Sequence, residues 1–93
     1  KIISVDDHPD ADRLYVVNID DGSESGRTVC AGLKDYYKPS DMTGLNVAFV
    51  ANLKPRKLRG VMSEGMMLAA DDGEGGVCLL TVDSRIKPGS EVR

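Results

Sequence analysis

The residues most able to do chemistry in this chain are cations, and they are crowded together. Asn52-Leu53-Lys54-Pro55-Arg56-Lys57-Leu58-Arg59-Gly60 holds four cations in nine positions and no acid. Pro55 fixes its own φ and drives Lys54 toward an extended conformation, so the cations are partly ordered before anything binds. A stiff basic segment of this kind, on the rim of a small barrel, can track a phosphate backbone. Basic loops are also common as merely solvated surface, and charge alone does not separate the two readings.

The means for catalysis are thin. His8 is the only histidine, so any histidine-based triad or two-histidine metal site must pass through it. Asp6, Asp7, Asp10 and Asp12 surround it, without the Gly and distal Glu at the offsets an EF-hand loop needs. His8-Pro9-Asp10 reads as a turn in which Asp side chains bond nearby backbone N–H groups; a ligand contact and a metal ligand are the alternatives. Ser63 has no neighbouring base to activate it. The glycines form neither G-x-x-x-x-G-K-S/T nor G-x-G-x-x-G. The expectation is a non-catalytic chain with no cofactor and no metal.

The elements that must position the basic run read as short strands. Residues 2–5, 13–19 and 27–31 are β-rich runs separated by turn clusters, with Asp21-Gly22 as a hairpin signal. Pro39-Ser40-Asp41-Met42 suits one helical turn with Pro at its first position. Residues 46–51, 66–70 and 77–82 supply three more strands, the last pairing with the end of the one before it. Val47-Ala48-Phe49-Val50-Ala51 and Met66-Met67-Leu68-Ala69-Ala70 are apolar on both faces, so the second face needs a cover: the short helix, a loop or a second subunit. Five or six short strands with one short helix suit an all-β, Greek-key barrel of the oligonucleotide/oligosaccharide-binding (OB) type.

Composition frames this reading. The chain has 93 residues, 41% apolar and 29% charged, which fits one globular domain over residues 1–93. No stretch approaches the roughly 18 apolar residues of a membrane span, and residues 1–5 lack the core of a signal peptide. The start has no initiator Met and is strand-like, so the chain reads as a fragment. Cys30 and Cys78 read as free, buried thiols in a reducing cytosol, which implies a cytoplasmic protein. The formal net charge of −3 argues on its face against a nucleic-acid partner. It is a cancellation: residues 1–24 carry −5, residues 25–60 carry +5, and residues 61–93 carry −3. The positive part contains the basic run.

The string Asn52-Leu53-Lys54-Pro55-Arg56-Lys57-Leu58-Arg59-Gly60-Val61-Met62-Ser63-Glu64-Gly65-Met66 resembles the tRNA-binding domain family. That family includes the C-terminal domain of methionyl-tRNA synthetases, their free-standing β-chain relatives and the endothelial-monocyte-activating polypeptide II group. His8-Pro9-Asp10-Ala11-Asp12-Arg13-Leu14, Arg27-Thr28-Val29 leading to Gly32-Leu33, and Lys87-Pro88-Gly89-Ser90 carry the resemblance across nearly the whole chain. It implies an OB barrel that binds the outer corner of tRNA by shape and backbone. It also implies phosphate and sugar contacts from Asn52, Lys54, Lys57 and Arg59, with Arg56 of the same run beside them. Ser63 and Met66 match the family's serine and methionine positions, which implies a hydroxyl bond to RNA and a thioether against a nucleotide; core packing is the other reading of Met66. Arg13 and Arg27 are candidates on neighbouring strands.

Three departures from the family pattern bear on affinity. An Asp-Leu-Arg-like segment before residue 1 is missing, Ala31 stands where Ser is frequent, and Glu64 puts a carboxylate into the RNA-facing loop. The phenylalanyl-tRNA synthetase β-chain has a related domain with a similar His-Pro-x-Ala-Asp opening, but Asn-Leu-Lys-Pro and Lys57-Leu58-Arg59-Gly60 favour the methionyl type. The expected function is largely sequence-independent tRNA capture for an aminoacyl-tRNA synthetase, with a methionyl-tRNA synthetase catalytic domain as partner. The alternative is a protein-interaction module that assembles synthetases or cofactors. The resemblance also implies a homodimer, since the chain ends at Arg93 without the C-terminal extension of the cytokine-like members.

Overall fold

The computed structural model describes residues 1–93. Strands β1 (Ile2–Asp7), β2 (Tyr15–Ile19) and β3 (Arg27–Ala31) form an antiparallel meander in that order. Alternation on β2 explains its place at the centre: Tyr15, Val17 and Ile19 are buried while Asn18 faces out. A register shift between Ile2 and Ser4 turns Ile3 outward, to 53% exposure.

The single turn α1 (Pro39–Met42) is too short to be stable alone. It is held because Met42 is fully buried in the core, while Pro39 occupies the first helical position. The core also holds Ile2, Val5, Val29, Leu33, Val47 and Leu79.

The second half is built from two-stranded pieces. β4 (Phe49–Val50) pairs with β7 (Met66–Met67), β5 (Arg56–Leu58) with β6 (Val61–Ser63), and β8 (Ala69–Asp71) with β9 (Val77–Leu79). The run expected over 66–70 is thus split at Leu68, whose N–H donates to Ala48 O at 3.0 Å while its carbonyl accepts from Leu80 N at 3.0 Å. Pairing of the last strand with the end of that run is as expected. The ladders do not join into one closed sheet. Hydrogen bonds outside the ladders tie them together: Glu64 N donates to Thr28 O at 2.8 Å, and Ile2 N to Leu45 O at 2.9 Å holds β1 to the segment after α1. The architecture is all-β and OB-like, with one short helix.

One expectation needs correcting. Both cysteines are free, but only Cys30 is half-buried; Cys78 is exposed, because β9 turns Leu79 inward and Cys78 outward. Burial pushes the Cys30 thiol above its ordinary pKa. The basic run, read as a stiff segment with a solvated loop as the alternative, has its second half in a strand of a hairpin. No helix is long and apolar enough to cross a membrane.

Candidate nucleic-acid interface

Residues 56–63 form a tight hairpin. Arg56 pairs with Ser63, Lys57 with Met62 and Leu58 with Val61, leaving Arg59-Gly60 as a two-residue turn. Both turn residues have positive φ, 50° at Arg59 and 91° at Gly60. That is the φ signature of a type I′ turn, whose twist matches the flanking strands. Gly60 adopts it without penalty, whereas Arg59 is the sole non-glycine residue with positive φ. The chain accepts this strain at the tip of its most cationic element.

Side chains from distant parts of the sequence lock the hairpin in place. His8 is 5% exposed, and its ring spans from the loop after β1 to the end of β5. Nδ1 accepts the Asp10 N–H at 2.9 Å, so Nε2 carries the proton and donates to Leu58 O at 2.8 Å. The same loop is closed by His8 N to Leu14 O at 3.0 Å. The turn expected at His8 is present, but the side chain that accepts its backbone N–H is the imidazole, not an Asp carboxylate. Asp7 instead pairs with Lys34 at 3.1 Å.

On the other side, Ser63 Oγ accepts the Cys30 N–H at 3.0 Å and donates to Gly65 O at 3.2 Å. Glu64 Oε1 accepts the Thr28 N–H at 3.2 Å. A Cβ on Gly65 would lie 2.6 Å from Val50 O, so only glycine lets this segment pass so close to β4.

The expected site residues fall into two groups. Asn52, Lys54, Arg56, Lys57 and Arg59 are all exposed, as is Arg13. None of these five cations forms an ion pair; the pairs present are Arg27–Asp21, Lys34–Asp7 and Arg85–Asp83. Met66 is 55% exposed, so core packing does not explain it.

Ser63 and Arg27 depart from expectation. Ser63 is buried with both hydroxyl functions used inside the fold. Arg27 donates from Nε to Asp21 at 3.1 Å and from Nη1 to Glu64 O at 2.8 Å and Ala51 O at 3.3 Å. Its fork clasps β3, the 20–26 turn and the segment after β6, leaving little for a phosphate. Hydrogen bonds from Ser23, with a further contribution from Arg27, hold Asp21 down to about 2. Glu64, expected to oppose phosphate, is turned onto β3. His8 and Glu64 as anchors lie outside any local pattern, since their partners are 50 and 36 residues away. Met62, exposed opposite Lys57, was legible only once the register was known.

A small OB-like module with four exposed, unpaired cations on and just before one anchored hairpin belongs to the class of domains that bind polyanions through backbone contacts. The family model described as "Putative tRNA binding domain" matches residues 1–91. The chain belongs to that family. It is 58% identical over 93 residues to the methionine–tRNA ligase of Thermococcus kodakarensis, all of this chain but only 12% of that protein. A methionyl-tRNA-synthetase-related protein of Pyrococcus horikoshii has the same fold, with a TM-score of 0.91 and 32% identity over 99% of this chain and 84% of the other. The C-terminal domain of Plasmodium vivax p43 gives a TM-score of 0.90 and 38% identity over 95% of this chain and 53% of the other.

Proposed function

We propose that this chain is a non-catalytic tRNA-binding module that raises tRNA capture by an aminoacyl-tRNA synthetase, the methionyl enzyme first. The observation that carries this reading is the hairpin and the residues leading into it: Lys54, Arg56, Lys57 and Arg59 are exposed and unpaired, as is Arg13. Asn52 and Met66 complete the contact surface, while Ser63 and Arg27 act by holding it. The absence of an exposed aromatic platform on the hairpin suits backbone tracking rather than base-by-base stacking. Joined to a catalytic domain, a weak module of this kind makes the second contact intramolecular. Free thiols fit a reducing compartment, and a cytoplasmic location is part of the reading.

The test is tRNA binding across a salt series. With roughly four phosphates neutralised, log K should fall with log[salt] at a slope of about −3. Lys54→Glu with Lys57→Glu should weaken several different tRNAs about equally and flatten the slope. A flat slope for the unaltered protein refutes the reading, and loss of discrimination with affinity intact points to base readout.

A homodimer belongs to the same proposal. An open groove of about 1230 Å³ runs between residues 46–52 and the C-terminal segment. Val47, Phe49, Val82, Ile86 and Val92 line it, the last three of them 44%, 49% and 67% exposed. An isologous contact would cover them. Light scattering at tens of micromolar should report twice the chain mass; a monomer overturns the dimer and leaves the RNA reading standing.

A further inference from the structure

Lys57 and Met62 face each other across β5–β6 and share one side of the hairpin, opposite to that of Leu58 and Val61. The Leu58–Val61 pair is half-buried. Met62 is 47% exposed. An acid at that position would pair with Lys57 and cancel its charge, and a Thr would suit strand propensity better. Met leaves the ammonium free and sets a soft, polarisable apolar surface beside it. Directly opposed residues sit about 5 Å apart at Cβ, a spacing comparable with that between the phosphate and the base of one nucleotide.

We infer that Lys57 and Met62 form a single-nucleotide subsite on the RNA-binding hairpin. Lys57 holds a phosphate while the Met62 thioether lies against the base or ribose of an unstacked nucleotide. Met66, also exposed, lies on a different ladder and is not part of this pair. The charge around it favours this occupant: Lys54, Arg56 and Arg59 are unpaired, and no carboxylate lies on the hairpin itself. The inference rests on the tRNA-binding reading and adds to it a contact that is not electrostatic.

The experiment compares binding of tRNA with binding of inorganic polyphosphate, which offers the charge without bases or sugars. Both are measured over a salt series for the unaltered domain, Met62→Ser and Met62→Leu. Met62→Ser should weaken tRNA binding by about 3- to 10-fold at every salt concentration, with the slope unchanged and polyphosphate affinity untouched. Met62→Leu should restore most of the affinity. Equal loss toward polyphosphate, an altered slope, or no loss toward tRNA overturns the subsite. A change of oligomeric mass in Met62→Ser with tRNA affinity intact also overturns it, assigning the face to a second copy. Failure of the unaltered domain to bind tRNA is a different result, and refutes the underlying reading instead.

Discussion

Replacing Ser63 by Ala separates a hydroxyl that touches RNA from one that builds the surface RNA touches. Ser63 is 7% exposed and its Oγ serves Cys30 N at 3.0 Å and Gly65 O at 3.2 Å. Removing it leaves the Cys30 N–H without that acceptor inside the fold, at about 1–3 kcal/mol. Gly65 is only half-buried, so water can reach its carbonyl and the second loss is smaller. The sum is about 2 kcal/mol, and in a domain of this size each kcal/mol moves Tm by about 4–8 °C, so a fall of about 8–16 °C is expected. Binding is then measured well below the lowered Tm, where the variant is folded. There Kd should stay within about threefold of the unaltered value, less than 1 kcal/mol. Scanning calorimetry and tRNA titration on one preparation decide the matter. A Tm within about 2 °C of the original, together with a tenfold or greater rise in Kd, refutes the structural assignment and returns Ser63 to the contact set.

The remaining predictions exploit other anchors. Arg59→Gly should relieve the left-handed strain and stabilise the hairpin by about 1 kcal/mol, yet weaken tRNA binding and reduce the salt slope by about 1; urea unfolding and titration must move in opposite directions. His8→Ala removes the bonds to Leu58 O and Asp10 N together; amide exchange should accelerate at Leu58 and Val61 more than in β2, and uniform acceleration would show no special tie to the hairpin. Asp21, held at about 2 against an ordinary 3.8, contributes stability that is full above its unfolded value and is lost as pH falls through the interval between them. The unaltered chain should therefore be more stable than Asp21→Asn at pH 5, and the gap should close toward pH 2; a constant gap would mean the hydrogen bonds from Ser23 and Arg27 do not depend on the carboxylate charge.

Much of the first half was legible because its signals are local. β3 and α1 lie where Arg27-Thr28-Val29-Cys30-Ala31 and Pro39-Ser40-Asp41-Met42 place them, the one by β-branched content and the other by Pro at the first turn. The basic hairpin was not legible. Lys54-Pro55-Arg56-Lys57-Leu58-Arg59 lacks apolar alternation because most of it faces solvent, and Arg-Gly is a far weaker turn signal than Asn-Gly. Alternation over Val77-Cys78-Leu79 did contain the exposure of Cys78; its usual preference for burial concealed it. Chemical type identified the free cations, whereas the tied-up ones needed coordinates. Arg27 and Arg59 read alike in a string of letters, and only the partners across 37 residues show that one of them is already taken.

That distinction resolves how a chain of net charge −3 can serve a polyanion. The domain measures 33 × 31 × 24 Å, while charges in solvent at physiological ionic strength are screened over about 8 Å. An RNA phosphate at the hairpin therefore responds to the charges nearest it more than to the net charge of the whole chain. The fold then sorts its charges by use. Asp21 and Asp7 neutralise Arg27 and Lys34, Glu64 is spent on the Thr28 N–H, and the four cations of residues 54–59 are left without partners. Because His8, Ser63 and Glu64 fix the backbone beneath them, little ordering of that backbone remains to oppose binding. A flexible tail with the same four charges would carry the same salt slope and a lower affinity, so grafting residues 52–60 as a free peptide should preserve the slope while raising Kd. Equal affinity for peptide and domain would show that the anchored hairpin contributes nothing beyond its charge.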